Sequence, residues 1–183
     1  MTRLYLDTEF TELTQHAQLL SIGMVDSEGR SFYAELQHAQ LPQDDWLANN
    51  VLCHMNWLGQ QNKSHLVNKG DQWQVFGSAM EVTEHLQSWL SHYQKAEVWA
   101  DCVVWDWLLF CELFGGAFEK PPQIHYLPFD LVTLLLAKGI NPDINRRELA
   151  VSMGLQVNGF AHHALDDAKL TGFLVEELLK DGK

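Results

Sequence analysis

The chain has 183 residues and a formal net charge of −12, and 46% of its residues are apolar. This length and apolar content suit one domain with a substantial core, so we expect a single domain over residues 1–183. The negative charge argues against a protein that coats duplex nucleic acid, because such binding depends on Lys and Arg contacts with phosphates. It does not exclude an enzyme that brings divalent cations to a local acidic site.

Targeting and redox features are sparse. The first residues lack the apolar core of a signal peptide, and no apolar run reaches membrane-spanning length without a polar interruption. The three cysteines, Cys53, Cys102 and Cys111, have no CxxC spacing, so neither a disulfide framework nor a zinc knuckle is predicted. We therefore expect a cytoplasmic protein without membrane contacts.

The N-terminal part of the chain predicts three strands that pair in an antiparallel arrangement. RLYLDTEF is followed by AQLLSIGMVDSEGRSFYAEL, in which the polar DSEG separates two β-rich runs and is typical of a hairpin. From Asp44 to Asn68 the alternation is lost. Scattered apolar anchors there, including Trp46 and Leu58, favour irregular structure or short helices.

The rest of the chain alternates extended and helical segments. Apolar spacing predicts a helix over 77–93, and AEVWADCVV with WDWLLFCELFGG predicts a strand, a turn and a helix. IHYLPF and DLVTLLLAKG repeat this unit with Asp130 as the helix cap, NRRELAVSMGL predicts a short helix, and HHALDDAKLTGFLVEELLK a long amphipathic one. The predicted fold is α/β, a mixed sheet with an N-terminal antiparallel three-stranded portion and helices on both faces.

Two carboxylates of the first predicted strand share a face. Side chains alternate along a strand, so Asp7 and Glu9 point one way while Leu4, Leu6 and Thr8 point the other. Crowded carboxylates resist joint ionisation, and hard divalent cations with oxygen ligands relieve the repulsion. A solvated strand face explains the pattern equally simply when DxE is taken alone.

Two further acidic positions stand out. Asp106 lies within the apolar VVWDWLLF, where an ionised carboxylate needs a cation, a helix dipole or a hydrogen-bond partner, and capping of the following helix is the alternative. In AHHALDDA, His162 precedes a predicted helix and Asp167 lies in its first turns, which could bring an imidazole and a carboxylate to one site. Favourable charge at a helix N-terminus is the alternative for Asp166 and Asp167.

Taken together, DTEF, Asp106 in its hydrophobic context and HHALDDA resemble the DEDDh group of 3'-5' exonucleases, which includes ribonuclease T and oligoribonuclease. The resemblance spans the chain and rests on the order and spacing of the motifs. His162 fits the HxAxxD spacing, with Ala164 two and Asp167 five residues later, whereas His163 does not. A compact branch of exoribonucleases first recognised in mycobacteria has a similar DTEF-type opening. The resemblance implies a ribonuclease H-like sheet.

The resemblance also implies a chemistry. It is the hydrolysis of phosphodiester bonds from the 3' end of single-stranded RNA or DNA with two divalent metal ions, Mg²⁺ or Mn²⁺. Asp7, Glu9 and Asp167 would hold the ion that activates the attacking water, and Asp7 with Asp106 the ion facing the leaving oxygen. His162 would be the general base.

Substrate contacts follow less directly. Phe10 could stack on a terminal base, or it could be a core residue. Thr8, Arg146 and Arg147 are the other predicted contacts, and solvated helix charges are the alternative for the two arginines. RNA is favoured over DNA, although no motif reports contacts with the 2'-OH. The resemblance includes symmetric dimers, so a homodimer is expected.

Two other functions fit the sequence. A phosphodiesterase acting on very short oligonucleotides would need few phosphate contacts, which suits the low number of basic residues. A noncatalytic nucleic-acid-binding module on the same fold would need none of the five candidate catalytic residues.

Overall fold

The computed structural model describes residues 1–38, 40–41, 43–57 and 64–180. Within these residues the chain forms seven strands and six α-helices, together with a 3-10 helix at Leu52–His54. The strands are β1 (Thr2–Phe10), β2 (Leu19–Asp26), β3 (Ser31–Leu36), β4 (His65–Lys69), β5 (Gln72–Gly77), β6 (Ala96–Ala100) and β7 (Phe129–Asp130). The helices are α1 (Asp45–Asn50), α2 (Ala79–Leu90), α3 (Val104–Leu113), α4 (Leu131–Ala137), α5 (Arg146–Ser152) and α6 (Ala164–Lys180).

The strands form one mixed sheet in the order β4-β5-β3-β2-β1-β6-β7. The neighbours β1 and β2, β2 and β3, and β4 and β5 are antiparallel, whereas β6 runs parallel to β1 and β5 runs parallel to β3. The predicted DSEG hairpin joins β2 to β3, and the Asp26 carboxylate accepts hydrogen bonds from the backbone N–H groups of Glu28 and Arg30, both at 2.9 Å. The mixed sheet and its antiparallel N-terminal portion are confirmed.

Helices cover both faces of the sheet, as predicted. One core lies between the sheet and helices α2 and α3 and includes Leu4 and Leu6 of β1, both fully buried. The other core lies between the sheet and helices α4, α5 and α6 and includes Tyr5 of the same strand. Alternate residues of β1 therefore face different helical layers.

No helix in the described residues is long and apolar enough to span a membrane.

The second helix begins where the sequence places it. Ser78 is the N-cap of α2, and its hydroxyl accepts a hydrogen bond from the Glu81 backbone N–H while the Glu81 carboxylate accepts one from the Ser78 N–H. This reciprocal capping box satisfies two backbone donors that the first helical turn leaves without partners. Asp130 likewise caps α4 by accepting from the Thr133 N–H. Local capping chemistry is thus sufficient to fix these two starts.

The stretch from Asp44 to Asn68 differs in part from the prediction. The short helix α1 and the 3-10 helix were expected, but β4 begins at His65 and pairs with β5, and neither strand was predicted. Four of the five residues of β4 are exposed at the edge of the sheet, so burial imposes no apolar alternation on its sequence. The anchor Leu58 lies outside the described residues.

Helix α6 packs against the sheet at two glycines, Gly23 of β2 and Gly172 of α6, where an added side chain would collide with the opposite layer. A Cβ on Gly23 of β2 would lie 2.4 Å from the backbone C of Ala164 and from the backbone N of Leu165. A Cβ on Gly172 of α6 would lie 2.5 Å from the Tyr5 ring. Both distances are too short for real contacts, so the absence of these two side chains sets the height of α6 above the sheet.

We expect Gly23→Ala to destabilise the protein by about 2 kcal/mol, since the added methyl group would push the first turn of α6 away from β2. Urea unfolding followed by circular dichroism measures this. Gly29→Ala is the matched control: Gly29 has φ +90° but no atom within 4 Å of an added Cβ, so only backbone strain is introduced. A loss for Gly23→Ala no larger than for Gly29→Ala would contradict close packing at this point.

Candidate active site

The candidate site lies at the carboxyl end of β1, in the middle of the sheet. The odd-numbered residues Asp7 and Glu9 share the face of β1 that carries Tyr5, toward α6, whereas Thr8 lies on the face toward α3. Asp7 is half-buried and Glu9 is buried. The predicted arrangement of two carboxylates on one strand face is therefore present, and the solvated strand face is not what the structure shows.

One cleft of about 850 Å³ contains every predicted site residue. These are Asp7, Thr8, Glu9, Phe10, Asp106, Arg146, Arg147, His162 and Asp167. They come from β1, α3, α5, α6 and the loop before α6, which are far apart in the sequence. The fold thus brings together all the residues that the three motifs single out, although it does not by itself assign their roles.

Asp106 is not the N-cap of α3, and its hydrogen-bond partners come from β1. It lies in the first turn of α3 with 5% of its surface exposed, and the N-cap position belongs to Val103, which makes no side-chain capping bond. Its Oδ1 accepts hydrogen bonds from the Thr8 backbone N–H at 2.8 Å and from the Thr8 hydroxyl at 2.6 Å. The capping alternative is wrong, because β1 supplies the partners of this carboxylate.

His162 and Asp167 meet at the start of α6. His162 has a left-handed backbone conformation with φ 59°, and its N–H donates to Asp167 Oδ2 at 2.7 Å. Glu9 completes a group: one potential ligand atom from each of Glu9, His162 and Asp167 lies within 4.8 Å of the others. Two side chains from α6 and its loop therefore reach a carboxylate of β1 at a spacing that suits a metal ion.

The carboxylates of the cleft oppose one another's ionisation. Burial, followed by repulsion from Asp106, Glu9 and Asp167, holds the pKa of Asp7 well above its usual range. Burial and the charges of Asp167 and Asp106 raise the pKa of Glu9 to about 8. Burial raises the pKa of Asp106 to about 7 against the two Thr8 hydrogen bonds, and burial also raises the pKa of Asp167.

Such a group needs compensating positive charge at neutral pH. Oxygen ligands clustered at this density suit hard divalent cations, which hold the carboxylates ionised and offset their repulsion. The carboxylates of Asp7, Glu9, Asp106 and Asp167, together with the His162 imidazole, therefore fit a site for divalent metal ions.

Aromatic side chains line part of the cleft. The Phe10 ring lies 6.1 Å from that of Trp105, between centroids, and Phe10 also packs against the core next to α3. Trp46 of α1 is 58% exposed, and its ring meets that of His162 edge-on at 5.2 Å. The sequence reasoning placed Trp46 among apolar anchors, because nothing local relates it to a histidine more than 100 residues away.

The segment that carries Trp46 is fixed to the sheet by a buried carboxylate. Glu35 of β3 is fully buried and accepts hydrogen bonds from the backbone N–H groups of Asn56 at 2.6 Å and Trp57 at 3.0 Å. On the same wall, His54 stacks on Phe160 with 4.7 Å between ring centroids. The wall formed by α1 and the 3-10 helix thus contacts the loop that leads to His162.

The two predicted arginines have different surroundings. Arg146 donates to both carboxylate oxygens of Asp101, at 2.8 and 3.0 Å, and to backbone carbonyls of the preceding loop. Arg147 donates to the Gly159 carbonyl at 3.3 Å and contacts Asp167 Oδ1 at 3.4 Å. The structure places Asp101 in the cleft as the partner of Arg146.

The family model of the 3'-5' exoribonuclease Rv2179c-like domain matches residues 2–179. The chain belongs to this family. The match covers almost the whole sequence, including all three motifs, and agrees with the mycobacterial-type branch that the sequence resembles. No curated protein matches the sequence well enough to count as a relative.

Solved structures share the fold of this exoribonuclease family member. Pop2p of S. pombe, in a form with Mg²⁺ and Mn²⁺ bound, is 12% identical with a TM-score of 0.65, covering 96% of this chain and 82% of its own. The nuclease domain of 3'hExo, a DEDDh family member bound to rAMP, is 13% identical with a TM-score of 0.66, covering 99% and 92%. A 3'-exonuclease that recognises the 3' end of the histone mRNA stem-loop is 11% identical with a TM-score of 0.68, covering 99% and 64%. These likenesses confirm the ribonuclease H-like fold.

The crowded carboxylates predict a pH-dependent stability of the metal-free protein. Glu9 is protonated more readily in the folded chain, with its pKa at about 8, than in the unfolded chain, where about 4.3 is usual. Its contribution is therefore fully present below about pH 4 and is lost as the pH rises through 8. In EDTA, we expect Glu9→Gln to match the wild type near pH 4 and to exceed its unfolding free energy by about 4–5 kcal/mol at pH 8, since each unit of pKa shift corresponds to about 1.4 kcal/mol.

Urea titrations in EDTA at several pH values measure this difference. Glu28→Gln, the same change in the exposed turn after β2, is the control and should leave the stability unchanged at each pH. A Glu9→Gln protein that is less stable than the wild type at pH 8 would show that the carboxylate is not held against repulsion.

Proposed function

We propose that the protein is a 3'-5' exoribonuclease that uses two divalent metal ions and the side chains of this cleft. The observation that carries the proposal is the convergence of four carboxylates from β1, α3 and α6 with one imidazole in a single cleft. Membership of the exoribonuclease family supports the reaction, and the donor set supports the metal ions. A noncatalytic binding module would have no need of this costly arrangement of like charges.

In this proposal Asp7, Glu9 and Asp167 hold one ion, and Asp7 with Asp106 holds the other. Mg²⁺ or Mn²⁺ suits the carboxylate oxygens. When bound, the ions lower the pKa of the attacking water and stabilise the charge on the leaving oxygen. The two Thr8 hydrogen bonds to Asp106 Oδ1 leave Oδ2 available for the ion, so Thr8 orients this ligand.

His162 is the proposed general base. Its backbone N–H is tied to Asp167, and its side chain lies in the cleft and is accessible to solvent. An imidazole at this place can accept the proton of the attacking water and pass it to solvent. Contact with the Trp46 ring limits the positions that the imidazole can take.

The substrate in this proposal is the 3' end of single-stranded RNA. Phe10, Trp46 and Trp105 offer aromatic surfaces in the cleft, and bases of a single strand stack on such surfaces regardless of their identity. DNA is a second candidate polymer. The bound rAMP and the histone mRNA end belong to the structures that share the fold, and they support an RNA 3' end as the ligand.

A phosphodiesterase acting on very short oligonucleotides is the alternative function. It is favoured by the scarcity of basic groups free to bind phosphate, because Arg146 is engaged by Asp101 and the whole chain has 12 Lys and Arg residues against 24 Asp and Glu residues. A short product or substrate needs fewer phosphate contacts than a long strand.

A homodimer and a cytoplasmic location complete the proposal. Exposed apolar residues support an interface: Val104 and Leu108 are four residues apart on α3, and Phe118 beyond the helix is fully exposed. All three cysteines are free thiols, as is usual in a reducing compartment, and this supports the location.

The decisive assay follows end-labelled single-stranded RNA and DNA of graded length with Mg²⁺, Mn²⁺ or EDTA. We expect metal-dependent shortening from the 3' end, loss of activity in Asp7→Asn, and a decrease of about 100-fold or more in His162→Ala. Asp143→Asn and His16→Ala make the same changes at exposed positions outside the cleft and should retain activity. Shortening of dinucleotides alone would favour the alternative function, and no shortening by a folded, metal-loaded protein would exclude both.

Thr8 distinguishes an orienting role from a substrate contact. Thr8→Val retains the backbone N–H but removes the hydroxyl that donates to Asp106, so we expect kcat to fall about tenfold with little change in KM. Thr8→Ser should restore most of the rate. Steady-state kinetics on a labelled RNA oligomer measure both constants. A raised KM at unchanged kcat would show instead that Thr8 contacts the substrate.

A further inference from the structure

Asp167 has both oxygens engaged by its own chain. Oδ2 accepts the His162 N–H at 2.7 Å, and Oδ1 lies 3.4 Å from Arg147 Nη2. The side chains of this ion pair are partly exposed, at 27% for Arg147 and 23% for Asp167. In the described residues, Arg147 is the one Lys or Arg side chain within 4.0 Å of a carboxylate oxygen of Asp7, Glu9, Asp106 or Asp167. It therefore supplies positive charge where the carboxylates repel one another.

Arg147 also contacts the loop that leads to His162. Its Nη1 donates to the Gly159 carbonyl at 3.3 Å, and the neighbouring Phe160 N–H donates to Asp166 Oδ2 at 3.2 Å. Both bonds of Arg147 are long for hydrogen bonds of a guanidinium group. Arg146, by contrast, makes four bonds of 2.6 to 3.0 Å with its partners. Of the two arginines, Arg147 is the one held loosely enough to move.

A divalent ion on Asp167 would compete with this arginine. The ion and the guanidinium both need charge from the same carboxylate, and they repel each other at short distance. A guanidinium that leaves Asp167 remains in the cleft, where a phosphate offers it planar, bidentate recognition. Arg147 can thus pair with Asp167 before metal binding and with a phosphate in the substrate complex.

We propose that Arg147 is a displaceable counter-ion, paired with Asp167 before metal binding and transferred to an RNA phosphate when a divalent ion takes its place. This inference rests on the proposed function of the cleft. It links two binding events: metal loading releases the group that then recognises the phosphate. Metal and RNA binding are therefore positively coupled through one side chain.

The first test uses Mn²⁺ alone with the full chain, by isothermal titration calorimetry. Arg147→Gln removes the competitor, and we expect Mn²⁺ to bind about two- to fivefold more tightly, the range of a partly exposed ion pair. Lys169→Gln is the matched control. It removes one positive charge two positions after Asp167, where Lys169 contacts Asp166 instead, and its effect on Mn²⁺ affinity should be smaller. Arg147→Lys, which keeps the charge, should stay close to the wild type.

The second test measures RNA binding in Mn²⁺, with a phosphorothioate-linked oligonucleotide that resists hydrolysis. Here Arg147→Gln should bind about fivefold or more weakly than Lys169→Gln, because the phosphate loses a charge-assisted bond. The variant that binds metal more tightly would thus bind RNA less tightly. Circular dichroism verifies folding, and Arg147→Met, which keeps an unbranched apolar chain, replaces Arg147→Gln if that protein fails to fold.

Each outcome has one meaning. Unchanged or weaker Mn²⁺ binding in the neutral variant would overturn the inference, because Arg147 would then support Asp167 as a fixed neighbour of the metal site. Unchanged RNA binding would also overturn it, since no phosphate would then receive the released group. Failure of the wild-type protein to bind Mn²⁺ would instead refute the metal-dependent function on which the inference rests.

Discussion

The structure depends on keeping four like-charged carboxylates together in a partly buried cleft. Such a group drives itself apart, and the fold resists by placing Asp7 and Glu9 on a strand that pairs with β2 along most of its length and with β6 in its first half. Leu4 and Leu6 anchor that strand in one core and Tyr5 in the other. The two cores therefore stabilise the protein and also hold the carboxylates of β1 in place.

With this arrangement, the folding free energy depends on whether cations occupy the cleft. Metal-free, the cleft costs folding free energy at neutral pH, because burial and repulsion both disfavour the ionised carboxylates. Bound cations would reverse the sign of that term and make the ligand a part of the folding equilibrium. Thr8 and the His162 backbone, which donate hydrogen bonds to Asp106 and Asp167, offset a fraction of the cost from within the chain.

Much of the site was accessible from the sequence, because its chemistry is written in short local patterns. Alternation along DTEF places Asp7 and Glu9 on one face, and the HxAxxD spacing selects His162 over His163. What could not be predicted depends on tertiary contacts. The pairing of Arg146 with Asp101 joins residues 45 apart, and the exposed strand β4 has no buried face to pattern its sequence. Burial of one face of a helix or strand produces a periodic pattern of apolar residues in the sequence, whereas a contact between two distant polar residues produces no such pattern.

The end of β1 and the wall that carries Trp46 are attached to the sheet in different ways. β2 pairs with β1 as far as Phe10, whereas β6 pairs only with Thr2 to Tyr5, so the segment that carries Asp7 and Glu9 is held by β2 and by the hydrogen bond from the Thr8 N–H to Asp106. The wall that carries Trp46 is attached by two backbone hydrogen bonds to Glu35 of β3 and by a small core in which Leu20 of β2 clusters with Leu47, Val51 and Leu52. Because the core under this wall is small, backbone amides of α1 should exchange with solvent sooner than those of the paired part of β1.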